Sequence, residues 1–325
     1  MERIAIGGTP FEIGEALGRL GRPAAGLVAA AARELRGKRV MPCMERIRDS
    51  FPAYWDELRG ISAGMGLDMR DVLLWNCRPD LAPGHAESGT VAVNRLGYGL
   101  ILNALRLGPA LAVHCVLVDV APEGKPGFLS LYVPGCLPGA SFAANRAGIV
   151  QVVDHLAGEE TGAGLPSFLI GRAVLDTGSL PEAIDTVMDG ERFGSAHHVL
   201  ASTQEFVMIG IAATPSGCEL APIPNKYWTA NHRARKPAAD GVTTASFRRY
   251  RALGKLMERM PSHPTERDIL ALLESPQDAE EEGAAALRPM QGDLGTALLK
   301  IHPGGVDLRL FPHGDAGGQR YALTL

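Results

Sequence analysis

The chain has 325 residues, 46% of them hydrophobic and 21% charged, with 32 Lys plus Arg against 36 Asp plus Glu. That is the balance of a globular protein, long enough for one large domain or two small ones, and it shows none of the basic surplus that marks a nucleic-acid partner. Its five cysteines (Cys43, Cys77, Cys115, Cys136, Cys218) are odd in number and form no CxxC pair, which argues against a disulfide framework and a structural zinc site. The first residues lack a signal layout, and no run approaches the ~20 apolar residues of a membrane span, so the reading is a cytoplasmic protein with no membrane role.

In chain order, residues 11–60 carry apolar positions at helical spacing and predict two or three helices. Tyr54, Leu58 and Ile61 form one stripe of a further amphipathic helix. Gly64-Met65-Gly66 is a stop signal, and Asp68 is an N-cap for a short helix through Leu74. Cys77, in an apolar run, reads as a packed thiol.

Thr90 to Val93 is short and β-branched, 94–97 carries turn chemistry, and 98–102 is apolar again, which predicts a hairpin. Ser88 stands at its mouth beside Gly89. Strands are expected at 111–118 and 128–133 around a turn at 119–126, followed by a Gly/Asn-rich turn at 134–148. Residues 165–188 read as two helices, the second starting at Ser179 or Pro181. His197-His198 and 206–211 read as a pair of strands. Adjacent strand residues point to opposite faces, so these histidines do not suit one metal ion; one is expected buried and the other exposed. A strand end at 228–232, a long helix from Ser246 to Met260, an acidic loop at 275–283 and a strand pair at 294–301 and 306–311 complete the chain. No internal repeat or composition break marks a linker.

Several stretches, in this order, resemble one family. Leu58-Arg59-Gly60-Ile61-Ser62-Ala63-Gly64 and Leu73-Leu74-Trp75-Asn76-Cys77-Arg78 read like its lead-in. Ser88, with Asn103 fifteen positions on, reads like its nucleophile hairpin. Gly139 to Gly148, with Asn145, resembles its glycine-rich strand. Asn231-His232 resembles its "H-x-N-H" segment with Thr229 in place of the first His, and Ser246-Phe247-Arg248-Arg249 its "S-x-x-R" helix start. The family is that of acyl-coenzyme A:6-aminopenicillanic acid acyltransferase, within the N-terminal-nucleophile amidohydrolases and distantly similar to bile-salt and penicillin V hydrolases.

The resemblance implies an α+β fold, a four-layer αββα sandwich of two mostly antiparallel sheets. It implies one functional domain, made of a helical N-terminal segment, 1–87, and a core, 88–325. It further implies that Ser88 attacks the carbonyl of Glu87, freeing its own α-amine to act as base near neutral pH. Asn231 and the backbone at Asn145 would hold the oxyanion, and Arg249 (Arg248 next by spacing) would orient the nucleophile. The implied substrate is a small acylated amine or an acyl-thioester. No cofactor or metal is implied beyond acyl-coenzyme A as co-substrate, and a homo-oligomer is left open. The chain departs from the pattern where Ser88 replaces Cys and where Ala104 and Leu105 replace Trp and Asp. Those departures keep an alternative open, an uncleaved relative that uses the pocket for ligand or partner binding. A third reading, an intact chain in which His85 or His232 serves Ser88 as base, ranks last.

Overall fold

The computed structural model describes residues 1–38, 40–81, 89–156, 161–230, 244–274, 287, 294–312 and 317–324. The first departure from expectation comes at once. Ile4 and Ile6 alternate with shorter residues, and 1–87 opens on a strand, β1 (Arg3–Gly8), rather than a helix. Thr9 then caps α1 (Pro10–Gly21) in a capping box with Glu12, and a short 3-10 turn (Arg22–Ala24) leads into α2 (Ala25–Glu34). Helices α3 (Met41–Ser50), α4 (Pro52–Met65), α5 (Met69–Asn76) and α6 (Arg78–Leu81) follow. Gly66 ends α4 in the left-handed conformation at φ 72°, and Asp68 caps α5 by accepting from the Arg70 amide at 2.8 Å. Both signals act as their residue types dictate.

The hairpin of β2 (Gly89–Arg95) and β3 (Tyr98–Leu105) follows. Pro109 then opens a one-turn helix, α7 (Pro109–Ala112), so the strand expected from 111 starts only at β4 (Val116–Pro122). Next come β5 (Phe128–Tyr132), β6 (Phe142–Asn145), β7 (Ile149–His155), α8 (Ser167–Val174) and α9 (Leu180–Met188). Strands β8 (Ala196–Ser202), β9 (Met208–Thr214), β10 (Gly217–Pro222) and β11 (Lys226–Ala230) precede α10 (Thr244–Arg259) and α11 (Glu266–Glu274). The chain closes on β12 (Gly295–His302), β13 (Gly305–Phe311) and β14 (Gln319–Thr324).

Among the described residues the strands form two sheets. One has eight strands in the order β1-β4-β5-β6-β7-β8-β9-β10, and the other six in the order β11-β2-β3-β12-β13-β14. The β1–β4 ladder is parallel and the other described ladders are antiparallel. Side-chain alternation sorts the faces. Val91, Val93, Leu100 and Leu102 meet Leu253 and Met257 of α10 and Ile269 of α11 on the outer side of the six-stranded sheet. Ile149, Leu200 and Ile211 meet Ile170, Val174, Ala183 and Val187 of α8 and α9 on the outer side of the other. The intervening residues, among them Ala92, Ile101, Leu299, Val150, Val152 and Val199, fill the space between the sheets. The αββα layering is therefore present, with each helix layer burying the stripe its sheet exposes.

Segment 1–87 is joined to this core by more than β1. Gly14 and Gly18 of α1 face Gly60 and Gly64 of α4, one helical turn apart on each. A Cβ at Gly14 would lie 1.9 Å from the Glu57 carbonyl oxygen, and one at Gly64 would lie 2.2 Å from that of Glu15, so the crossing requires glycine. Arg172 of α8 then pairs with buried Glu57 of α4 at 3.0 Å and with Asp176 at 2.6 Å, its guanidinium stacked over Phe128. Burial pushes the Glu57 carboxyl above its ordinary value, and the Arg172 charge opposes that rise.

Candidate functional site

Asn145 ends β6, and its side chain is wholly committed there. Its amide donates to the carbonyls of Leu175 and Thr177 at 3.2 and 2.8 Å, and its oxygen accepts from the amides of Ala147 and Ile149 at 3.1 and 2.9 Å. It ties the turn after β6 to the end of α8. Arg249 belongs to α10, half-buried on the outer side of the six-stranded sheet, and is not part of the cavity described below. Asn145 and Arg249 are thus not brought together. Ser88, Asn231, His85, His232 and Glu87 lie outside the described residues. The β2–β11 ladder ends on the pair Gly89↔Ala230, whose next residues along the chain are Ser88 and Asn231.

A cavity of about 160 Å³ opens at the other end of the β6–β7 hairpin. Trp75, Leu105, Leu107, Leu111, Val133 and Phe168 make its walls apolar. Asn103, Ser141, Asp154, His155 and Ser167 add polar groups, and Arg78 and Arg106 add two guanidinium groups. The cavity gathers α6, the end of β3, the end of β7 and the start of α8. Residues 82–88, between the end of α6 at Leu81 and the start of β2 at Gly89, lie outside the described residues.

Its polar floor comes from both sheets. Thr90 and Asn103 are directly opposed in the β2–β3 ladder and face inward. Asn103 Nδ2 donates to Thr90 Oγ1 at 2.7 Å and to Asp154 Oδ1 at 2.9 Å. The Thr90 hydroxyl donates to Asp154 Oδ2. All three are buried. Asp154 follows Val150 and Val152 on the same face of β7, so a carboxylate stands where the inward pattern is otherwise apolar. It is a break in an otherwise apolar period-two pattern, whose meaning appears only once the facing strands are known.

A second inter-sheet contact lies alongside, where His197 Nε2 and the Tyr227 hydroxyl are 2.6 Å apart. His197 pairs with Asp154 across the β7–β8 ladder. Burial lowers His197 to about 4, which keeps it neutral at pH 7. One of the two histidines was expected exposed, yet both are buried: His198 is fully so, because helices cover the outer face toward which it points, and burial takes it to about 3. His155, in the cavity wall, is held at about 4 by burial. Asp80 of α6 accepts from the Ser167 amide and hydroxyl at 3.1 and 2.5 Å, and burial raises it to about 7 against those two bonds. Cys77 is packed, as expected; its bond to Cys43 and then burial push the thiol well up, the opposite of an activated nucleophile. Among the described residues no group of three or more His, Cys, Asp or Glu is set to hold a metal ion, and no helix is long and apolar enough to cross a membrane.

A buried carboxylate with two fixed donors, beside an apolar chamber edged by guanidinium groups, suits an acylated small molecule better than a polymer. Solved structures and one sequence profile are similar to this chain. Solved structures similar to this chain include an N-acylethanolamine-hydrolyzing acid amidase ortholog from Caenorhabditis elegans, at 12% identity and TM-score 0.46, covering 72% of this chain and 99% of that one. A variant of conjugated bile acid hydrolase from Clostridium perfringens matches at 8% identity and TM-score 0.43, covering 73% and 92%. Penicillin V acylase from Agrobacterium tumefaciens matches at 9% and 0.44, covering 73% and 86%. A sequence profile described as acyl-coenzyme A:6-aminopenicillanic acid acyl-transferase matches residues 107–310, more than half of the chain, starting just after Leu105. The chain belongs to the acyl-coenzyme A:6-aminopenicillanic acid acyltransferase family.

Proposed function

We propose that the protein transfers or hydrolyses the acyl group of a small non-peptide amide or acyl-thioester, with Ser88 as an N-terminal nucleophile after self-cleavage at Glu87–Ser88. The observation that carries this reading is the cavity at the end of the sandwich, lined by the end of β3 and by α6, whose last residue and the first of β2 bracket 82–88. Its apolar walls suit an acyl chain. Arg78 and Arg106 suit an anionic group on the donor or acceptor, such as a carboxylate or the phosphates of acyl-coenzyme A as co-substrate.

Maturation would begin with Ser88 Oγ attacking the Glu87 carbonyl carbon. The peptide C–N bond breaks as the ester C–O bond forms, and the nitrogen takes the hydroxyl proton. One water then hydrolyses the ester, leaving a carboxylate on Glu87 and a free amine on Ser88. In turnover that amine takes the Ser88 hydroxyl proton while Oγ bonds to the acyl carbon, then gives the proton to the leaving amine or thiol. Water or an acceptor amine completes the cycle.

The test uses p-nitrophenyl butyrate and the purified full-length protein. A burst of p-nitrophenolate matching the enzyme concentration, absent from Ser88→Ala, supports the reading. Equal release from both proteins removes Ser88 from the chemistry.

A second reading, ligand binding without turnover, is favoured by Leu105, 4% exposed in the cavity wall where the family places a carboxylate. It expects thermal stabilisation by acyl-coenzyme A, equal in wild type and Ser88→Ala, with no product.

A further inference from the structure

We infer that copies of this chain associate head to tail, the basic outer face of α10 on one copy seated in an acidic cleft along α9 of the next. The inference goes beyond the acyl-transfer reading and does not depend on it. Helix α10 carries five basic residues and one acidic, Glu258, in a chain whose net charge is −4. Arg248, Arg251, Lys255 and Arg259 recur at intervals of three or four residues, so they share one stripe, and all four are exposed. The other side of the helix is taken up by Leu253 and Met257, packed on the six-stranded sheet.

Helix α9, on the outer side of the eight-stranded sheet, answers that stripe in sign and spacing. Glu182, Asp185 and Asp189 repeat the i, i+3, i+7 interval of Arg248, Arg251 and Lys255, and all three are exposed. The Asp189 amide still donates to the Asp185 carbonyl at 2.7 Å, which keeps Asp189 on the last turn. These carboxylates edge a cleft of about 500 Å³ between α9, α8 and the start of α4. Leu169, Ile170 and Ala173 line its apolar part, together with the stacked rings of Phe51 and Tyr54. Among the described residues Lys125 is the one base in that lining. Arginine and lysine bury an apolar stem and keep a charged head at the edge, which suits a cleft with an apolar interior and an acidic rim. Met188 next to Asp189 and Phe247 next to Arg248 are exposed and add apolar contact to each face.

Local helix physics opposes both stripes. Arg251 with Lys255, Lys255 with Arg259, and Asp185 with Asp189 are like-charge pairs at i, i+4, and each destabilises its own helix. Asp189 also stands at the negative end of the α9 dipole. A salt-bridge-laced, solvated face alternates its signs instead. An opposite stripe from a second copy offsets each of these repulsions. Because the two faces lie on opposite sides of the sandwich, the contact is heterologous and builds a ring or an open chain of copies, not a two-fold dimer.

Sedimentation velocity of the full-length protein at about 100 μM tests this. At about 50 mM salt the wild type is expected to sediment as more than one copy. At about 1 M salt, where the Debye length is about 3 Å, association is expected to weaken at least tenfold. Arg251→Glu/Lys255→Glu reverses one face and Asp185→Lys/Asp189→Lys the other. Each variant is expected to be a single copy at low salt, with thermal unfolding used to check that it folds. An equal mixture of the two is expected to associate, since each supplies the face that the other matches, and a chain carrying all four reversals should associate with itself. If a reversal does not fold, the neutral variant Arg251→Gln/Lys255→Gln decides, with association at least tenfold weaker. A wild type that stays a single copy at low salt overturns the proposal. So does association that survives the reversal or neutralisation of a face, or a mixture of the two folded reversals that stays apart.

Discussion

The two ends of the β6–β7 hairpin are built from similar residues to opposite purposes. At the turn end, Asn145 places every hydrogen-bonding group of its side chain on backbone, and Arg172 stacks on Phe128, which pairs with Asn145. At the open end, Ser141, Asp154 and His155 face a cavity. A motif that resembles a catalytic signature sits at the closed end, while the chemistry-bearing groups at the open end belong to no motif. An asparagine among glycines attracts notice for the turn it builds, which says nothing about whether its amide remains available to a substrate.

That contrast predicts stability losses at the closed end and activity losses at the open one. The largest effect is expected for Arg172→Met, which strands Glu57 as a buried charge; it should cost about 3–5 kcal/mol in denaturant unfolding, and a loss under 1 kcal/mol would mean that Glu57 is not held by this pair. Next, Asn145→Ala leaves buried backbone groups unpaired and should cost about 2–4 kcal/mol. Its rate per folded molecule should stay within threefold, since the lost contacts all go to backbone; a rate collapse without a stability change would return the side chain to the site.

The titrating groups sharpen the picture further. His155, His197 and His198, lowered to about 4, 4 and 3, contribute stability that is present above their unfolded value of 6.5 and lost as pH falls through the window down to about 4. Asp80, raised to about 7 from 3.8, acts in the other direction: its contribution is full below 3.8 and lost as pH rises through 7. Three histidines outweigh one carboxyl, so the unfolding midpoint should fall between pH 6.5 and 4.5, and His198→Leu should flatten that slope. A midpoint that climbs on acidification would show these histidines to be charged in the folded chain. The smallest stability effect is expected for Ala140→Phe at the open end, under about 1.5 kcal/mol because it grows into a cavity. Its cost should appear in KM for p-nitrophenyl butyrate, and an unchanged KM would place the substrate elsewhere.

Much of the architecture was legible because it follows from local rules. Asp68, Gly66 and Ser179 act as caps, and alternation in the β2–β3 and β12–β13 hairpins fixes which residues enter the core. The misses have physical causes. Strand β1 is an edge strand held by parallel pairing to a partner more than a hundred residues away, which no local pattern announces. The apolar run at 111–118 looks like strand, but Gly108 and Pro109 start a helical turn inside it. Both neighbouring histidines are buried because the eight-stranded sheet is covered on one face by the other sheet, where His197 meets Tyr227, and on the other by helices. Asp154 escaped notice because its meaning depends on which strand of the other sheet faces it.

The central claim is that the bond between Glu87 and Ser88 is broken to make the working nucleophile. Intact-mass analysis of the purified wild-type protein reads this directly. The account predicts two chains, 1–87 and 88–325, with the larger beginning at Ser88 and remaining associated with the smaller through the β1–β4 ladder and the Glu57–Arg172 pair. A single uncut chain of 325 residues that nonetheless turns over substrate would contradict it.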